Sequence, residues 1–367
     1  MVAETGQDFI IKRDDWGTSK FVPAAVPADL GPDEVVLRVD RFAMTANNIT
    51  YAQVGDMIGY WKFFPAEDEG WGRIPVMGFA DVVRSNHPDV PEGDRVFGFF
   101  PMSNHLVIQA DRVTPEQYFD VAPHRAASAP VYRTYTRVSG DRSYTPDRED
   151  QHMLLWGLFM TGFMVDDFMA DNDFFGAKTF VISSASSKTA IALAYMLSQQ
   201  GRGEVIGLTS PRNLEFVEGL GFYNRTFTYD DVNFLAADVP TAFIDHAGNG
   251  EVVSAVHQHL QDNLKYSGIV GVTHWGATRN AGGLPGPAPA MFFAPTQIQK
   301  RNQEWGPEVF QQRVGKEWVK FRDSSDVWLS VSRGYGSDAV ERVYKETLEG
   351  RAKPSEGHVL SLWEQER

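Results

Sequence analysis

The alternation of apolar and polar positions changes its period along the chain, and the change divides it. Glu34–Phe42 (EVVLRVDRF) alternates as a half-buried strand does. Asp8–Lys12 and Phe21–Pro23 predict a hairpin ahead of it, with Asp14-Asp15-Trp16-Gly17 as the turn. Ala80–Ser85, the strand fed by the turn Pro91–Gly98, and His105–Gln109 continue the series. Many short strands between Gly/Pro turns predict a compact, barrel-like β domain.

From Thr179 the period alternates between strand and helix. Thr179–Ser184 is a short apolar run, Ser183–Ser187 a turn of small residues, and Lys188–Gln199 carries Ile191, Leu193, Ala194, Met196 and Leu197 at helical spacing. Glu204–Leu208 completes a βαβ unit, which sets a helix N-terminus against a phosphate-sized ligand. A helix over 211–220, strands over 225–228, 241–245 and 266–274, and a helix over 251–264 predict a parallel sheet with covering helices. Before this, Met153–Ala170 has helical period, and the polar stretch around Tyr132–Gln151 predicts an inserted loop or lid. After it, Asp323–Ser332 and Gly357–Trp363 predict strands and Asp338–Gly350 a helix.

Composition narrows the chemistry. The 367 residues are 43% hydrophobic, enough for two domains with separate cores. A formal net charge of −14 argues against nucleic acid or an anionic membrane as partner. There is no cysteine, so disulfides, thiolate catalysis and cysteine–zinc sites are excluded. Met1–Asp15 lacks the pattern of a signal peptide, and no apolar stretch reads as a membrane span, so the expectation is a cytoplasmic protein.

The order of elements and several motifs resemble the medium-chain dehydrogenase/reductase superfamily, on its zinc-free quinone- and enoyl-reductase side. EVVLRVDRFAMTANNITYAQVG is similar to that group's first-domain segment. Pro75–Phe79 and Pro91–Gly98 resemble its P-x-x-G and G-D-R-V-x-G landmarks, and Thr161-Gly162-Phe163 its Thr-Ala-aromatic helix start. Within it the chain is most similar to an uncharacterised domain-of-unknown-function branch. The resemblance implies an α/β fold: a GroES-like catalytic domain (1–125 and 301–367) and a Rossmann-type domain (126–300), into which the polar stretch 132–151 is read as an insertion. It also implies a homodimer. Two departures stand out: the usual acidic residue is replaced near Asn48 or Ile49, and the glycine-rich turn is Ser-Ala-Ser-Ser.

The candidate cofactor is NADPH. Ser184, Ser186, Ser187 and Lys188 lie at the turn, and Thr209, Ser210 and Arg212 follow the second strand without a carboxylate, which suits a 2′-phosphate. Asp245 and Thr273, near later strand ends, complete the cofactor set. A P-loop is disfavoured, because Ile182 and Ser187 stand where it needs glycine. For catalysis, Tyr51 is a phenol able to protonate an enolate, with Asn47 and Asn48 beside it. Tyr60, Trp61, Tyr132 and His274 are substrate-binding candidates, and no metal set is found. These residues predict an NADPH-dependent reductase acting without metal on an activated C=C or C=O of a small quinone, enone or enoyl compound. A non-redox lyase or isomerase, or a non-catalytic NADPH-binding protein, would suit the altered motifs.

Overall fold

A computed structural model describes residues 5–270 and 283–365. The chain divides into two compact units, Met1–Leu154 with Leu329–Arg367, and Leu155–Trp328.

In the first unit, strands β1 (Thr5–Lys12) and β2 (Asp15–Ala25) form the expected hairpin, turning at Arg13-Asp14 rather than at 14–17. Strand β3 (Glu34–Met44) leads into helices α1 (Ala46–Gln53) and α2 (Gly55–Ile58). Strands β4 (Trp71–Gly72), β5 (Pro75–Ser85), β6 (Arg95–Pro101), β7 (His105–Asp111) and β8 (Gln117–Asp120) follow. The stretch read as a loop contains β9 (Thr134–Arg137), which pairs with both β6 and β8. Because β3 pairs with β5 on one side and β7 on the other, the series β3-β5-β6-β9-β8-β7 closes into a barrel. Phe9, Val35, Leu37, Val76, Phe100 and Tyr135 are among the side chains filling its core.

Two landmarks of the barrel have local causes. A Cβ on Gly98 would stand 2.7 Å from the Tyr135 ring, so glycine there lets β9 lie against β6. Arg95 binds Glu149 through two hydrogen bonds (2.7 Å each), Asp40 (2.7 Å) and Asp81 (3.0 Å), and Arg41 adds a third bond to Glu149 (2.8 Å). These pairs fix the start of helix α3 (Glu149–Asp171), whose acidic first turn also suits the helix dipole. Helix α3 starts four residues before the periodic stretch did. With the turn before it, 146–171 is long and apolar enough to cross a membrane by length and composition, against the sequence expectation. Burial of Leu155, Phe159, Met164 and Met169 is what a core helix shows.

The second unit is built on the parallel sheet. Strand β10 (Thr179–Ile182), helix α4 (Lys188–Gln200), β11 (Glu204–Thr209), α5 (Leu214–Gly219) and β12 (Arg225–Thr228) are followed by β13 (Thr241–Asp245), α6 (Gly250–Leu260), β14 (Leu264–Ile269) and β15 (Ala290–Met291). The strand order is β12-β11-β10-β13-β14-β15, all pairs parallel. Phe180 and Ile182 face α3 and α4, whereas Val181 faces α6, so both faces are covered. The helices Ala294–Trp305 and Pro307–Ser324 were not anticipated, and the second replaces the first part of the strand expected over 323–332.

The chain then returns to the first unit with β16 (Ser330–Tyr335), the helix Gly336–Leu348 and β17 (Glu356–Ser361), which extend the barrel sheet beside β3.

Candidate functional site

The turn after β10 keeps the backbone shape of a glycine-rich turn without the glycine. Ser184 has φ +50°, in the left-handed region that L residues enter at a cost of about 1 kcal/mol. Its N–H donates to the Tyr229 hydroxyl (3.2 Å), which holds that conformation in place. The Ala185 N–H donates to the Leu208 carbonyl (3.0 Å), and the Tyr223 hydroxyl donates to the Ala185 carbonyl (2.9 Å). Ser187 is the N-cap of α4, its hydroxyl accepting from the Ala190 N–H (3.3 Å). Gly207 on β11 is what lets the turn sit so close: a Cβ there would lie 2.9 Å from Ala185 and 3.0 Å from the Tyr223 ring. Burial holds the phenols of Tyr223 and Tyr229 above their usual range, so both stay protonated.

The sheet edge beside this turn is polar and buried. Thr209, at the end of β11, is fully buried, and its hydroxyl has no hydrogen-bond partner among the described residues. Ser183 donates to Asp245 (2.5 Å), and the Asp245 carboxylate accepts from the Ala247 and Gly248 N–H groups (3.0 Å each). The Asp245 carboxylate is therefore engaged by Ser183 and by the loop that follows β13 rather than held open for a cofactor. Burial lowers the His246 pKa to about 3, so its ring is neutral. Asn213 donates to the Ser186 hydroxyl (3.0 Å), Ser210 precedes the short turn Pro211–Asn213, and Arg212 is exposed. Lys188 opens α4.

A helix N-terminus, small side chains, the left-handed Ser184 and an unpartnered Thr209 hydroxyl fit an anionic dinucleotide. The fit differs from a glycine loop, since the chain itself engages the Ser184 and Ala185 amides. Sequence reasoning missed Tyr229; only its distance from Ser184 across 45 residues reveals it.

In the first unit three phenols converge. Tyr51, on α1, packs against Tyr60 with ring centroids 4.5 Å apart and planes tilted by 42°, and the Tyr60 and Tyr132 hydroxyls are 3.1 Å apart. Phe63 and Phe99 wall the group, their rings 5.1 and 5.5 Å from that of Tyr132. Burial raises all three phenols, so each is a hydrogen-bond donor at neutral pH. A hydrogen bond from Asn47, one helical turn before Tyr51, opposes that rise and favours the phenolate.

Two residues expected here do other work. Asn48 accepts from the Thr45 N–H (2.7 Å) and donates to the Pro75 carbonyl (2.9 Å), a buried tie between α1 and β5 rather than a catalytic amide. Trp61 lies in the core, its indole seated where a Cβ on Gly55 or Gly72 would come within 2.2 or 2.4 Å, so it is no substrate contact. Thr273 and His274 lie outside the described residues. Among the described residues no group of His, Asp and Glu is placed to hold a metal.

A comparison with curated proteins finds no match. Among solved structures the chain is similar to CurA from Vibrio vulnificus, 13% identical with a TM-score of 0.64, covering 99% of this chain and 100% of that one. It is also similar to CurA in complex with NADPH from the same organism (12%, TM-score 0.59, 98% and 100% covered). A third is a mutant form of enoyl thioester reductase from Candida tropicalis (13%, TM-score 0.57, 97% and 99% covered). At such identities the likeness is one of fold, and the fold expected from the resemblance is found over nearly the whole chain. The family described as "Protein of unknown function (DUF2855)" matches residues 42–353, and the chain belongs to it.

Proposed function

We propose that the chain is an NADPH-dependent reductase that works without metal on an activated C=C or C=O of a quinone, enone or enoyl-type compound. The observation that carries this reading is the turn after β10, whose left-handed Ser184 and close Gly207 keep a dinucleotide-type shape without glycine at its bend. The fold shared with an NADPH complex and with an enoyl thioester reductase supports the same reading.

In this reading Ser186, Ser187 and the first turn of α4 meet the pyrophosphate, and Thr209, Ser210 and Arg212 meet the adenosine 2′-phosphate. When bound, NADPH supplies the hydride. The phenol of Tyr51 donates a hydrogen bond to the substrate oxygen and its proton to the developing enolate, and Asn47 stabilises the phenolate left behind. Self-association through β15, where Met291 is exposed at the sheet edge, belongs to the same proposal.

The test is calorimetric titration with NADPH and NADH, followed by NADPH oxidation with a panel of quinones, enones and enoyl thioesters. Binding of NADPH over NADH, turnover of a panel member and a loss of at least about a hundredfold in kcat for Tyr51→Phe are expected. No measurable NADPH affinity refutes the reading. Tight binding without turnover points instead to a non-catalytic NADPH-binding protein.

A further inference from the structure

Arg125 is the largest charged side chain wholly inside the first unit, with 0% of it exposed, and its partner Asp120 is 1% exposed. A buried ion pair of this kind is weak evidence for stability, since desolvation offsets most of the Coulombic gain. Its partners suggest what it does instead. One terminal nitrogen donates to Asp120 (3.1 Å) and to the Tyr135 hydroxyl (2.9 Å), and the other donates to the Tyr132 carbonyl. The guanidinium lies over the rings of Phe64 (4.7 Å) and Phe63 (5.8 Å).

Each contact leads to a wall of the tyrosine cluster. Tyr132 is held by its own backbone. Phe63 packs edge-on against Tyr60 at 5.2 Å. Tyr135 passes its proton's hydrogen bond to the Phe99 carbonyl (3.0 Å), and Phe99 faces both Tyr132 and Tyr51. Asp120 is fixed in turn by the N–H groups of Gln109 (3.2 Å) and Ala122 (2.9 Å), so the charge pair is anchored to the barrel.

We infer that Arg125 is a positioning residue: it never touches substrate, but its planar fork sets the place of the Tyr132 hydroxyl, and through it the Tyr60–Tyr132 pair beside Tyr51. A lysine could keep the charge for Asp120 but not the fork that serves Asp120, Tyr135 and the Tyr132 carbonyl together. The inference rests on the reading of this cluster as the substrate site.

The test uses the full chain with NADPH and 1,4-naphthoquinone, and the variants Arg125→Lys, Tyr132→Phe and the double variant. Arg125→Lys is expected to lower kcat by at least about tenfold with NADPH affinity unchanged. The double variant is expected to be no slower than the worse single one, since Arg125 acts through Tyr132. Effects that multiply, or an Arg125→Lys enzyme with full kcat, overturn the inference. If Arg125→Lys does not fold, Tyr135→Phe removes one partner and keeps the ion pair; a smaller fall in kcat supports the inference, and an unchanged kcat overturns it. If the wild-type protein reduces neither naphthoquinone nor any other quinone, enone or enoyl thioester of the panel, the functional reading fails separately. Tyrosinate absorbance then tests the positioning alone: in the Arg125 or Tyr135 variant an additional tyrosine should titrate near the ordinary value of about 10. A titration curve identical to wild type overturns the inference.

Discussion

Asp166 carries a cost that can be measured. It lies on α3, is 5% exposed, and accepts one hydrogen bond, from Gln200 to Oδ2 (2.7 Å), while Oδ1 has no partner among the described residues. Burial pushes its pKa up to about 6; the Gln200 bond and Arg202 oppose the rise, and Asp167 and Glu317 add to it. The folded protein thus binds a proton that the unfolded chain, with an ordinary value of 3.8, has already lost. Protonated Asp166 contributes stability that is fully present below that ordinary value and is lost as the pH rises through about 6. The gap corresponds to about 3 kcal/mol at about pH 8, and roughly half of it is recovered by about pH 5. Asp166→Asn removes this pH dependence, although its amide N–H groups then need partners, at a cost of about 1–3 kcal/mol. Urea unfolding of both proteins between about pH 5 and pH 8 is the assay, read as their difference in stability. The variant should gain on the wild type by about 1–2 kcal/mol as the pH rises across that range. A difference that stays flat with pH would refute the reasoning.

The turn after β10 yields two more tests. Gly207→Ala places a methyl 2.9 Å from Ala185 and should cost about 1–3 kcal/mol in thermal or urea unfolding, with a parallel loss of NADPH affinity by calorimetry. Unchanged stability would mean that the turn gives way more easily than its packing indicates. Tyr229→Phe removes the acceptor for the Ser184 N–H and should cost about 0.5–1.5 kcal/mol; an NADPH affinity equal to wild type would remove Tyr229 from the cofactor site.

Much of the second unit was legible because its signals are local. The βαβ unit around Ser183–Ser187 came out within a residue or two, since strand and helix periods, the Ser187 cap and Gly201 at the helix end all act over a few positions. In the first unit Tyr51 and Asn47 could be named as candidates, but the helix that sets them one turn apart was not read from the sequence. Tyr60 and Tyr132 could be named as candidates, but their meeting 72 residues apart could not. The errors share one cause. Asn48 was read as a catalytic candidate and Trp61 as a substrate-binding one, because the Pro75 carbonyl and the flat faces of Gly55 and Gly72 that claim them are remote in sequence or invisible to periodicity.

The sequence by itself determined the strand–helix alternation from Thr179 to Ile269, the absence of thiol chemistry, the acidic net charge and the family resemblance, because composition, periodicity and short motifs are properties of neighbouring residues. The tertiary structure alone decided how those elements pair. It turned a polar insertion into β9, closed the barrel by joining β3 to β7, and placed the Tyr229 hydroxyl against Ser184. It also gathered Arg125, Asp120 and Tyr135 behind the phenols. Each of these depends on strand register and on burial of polar groups that must find partners, and those are set only when distant segments are packed together.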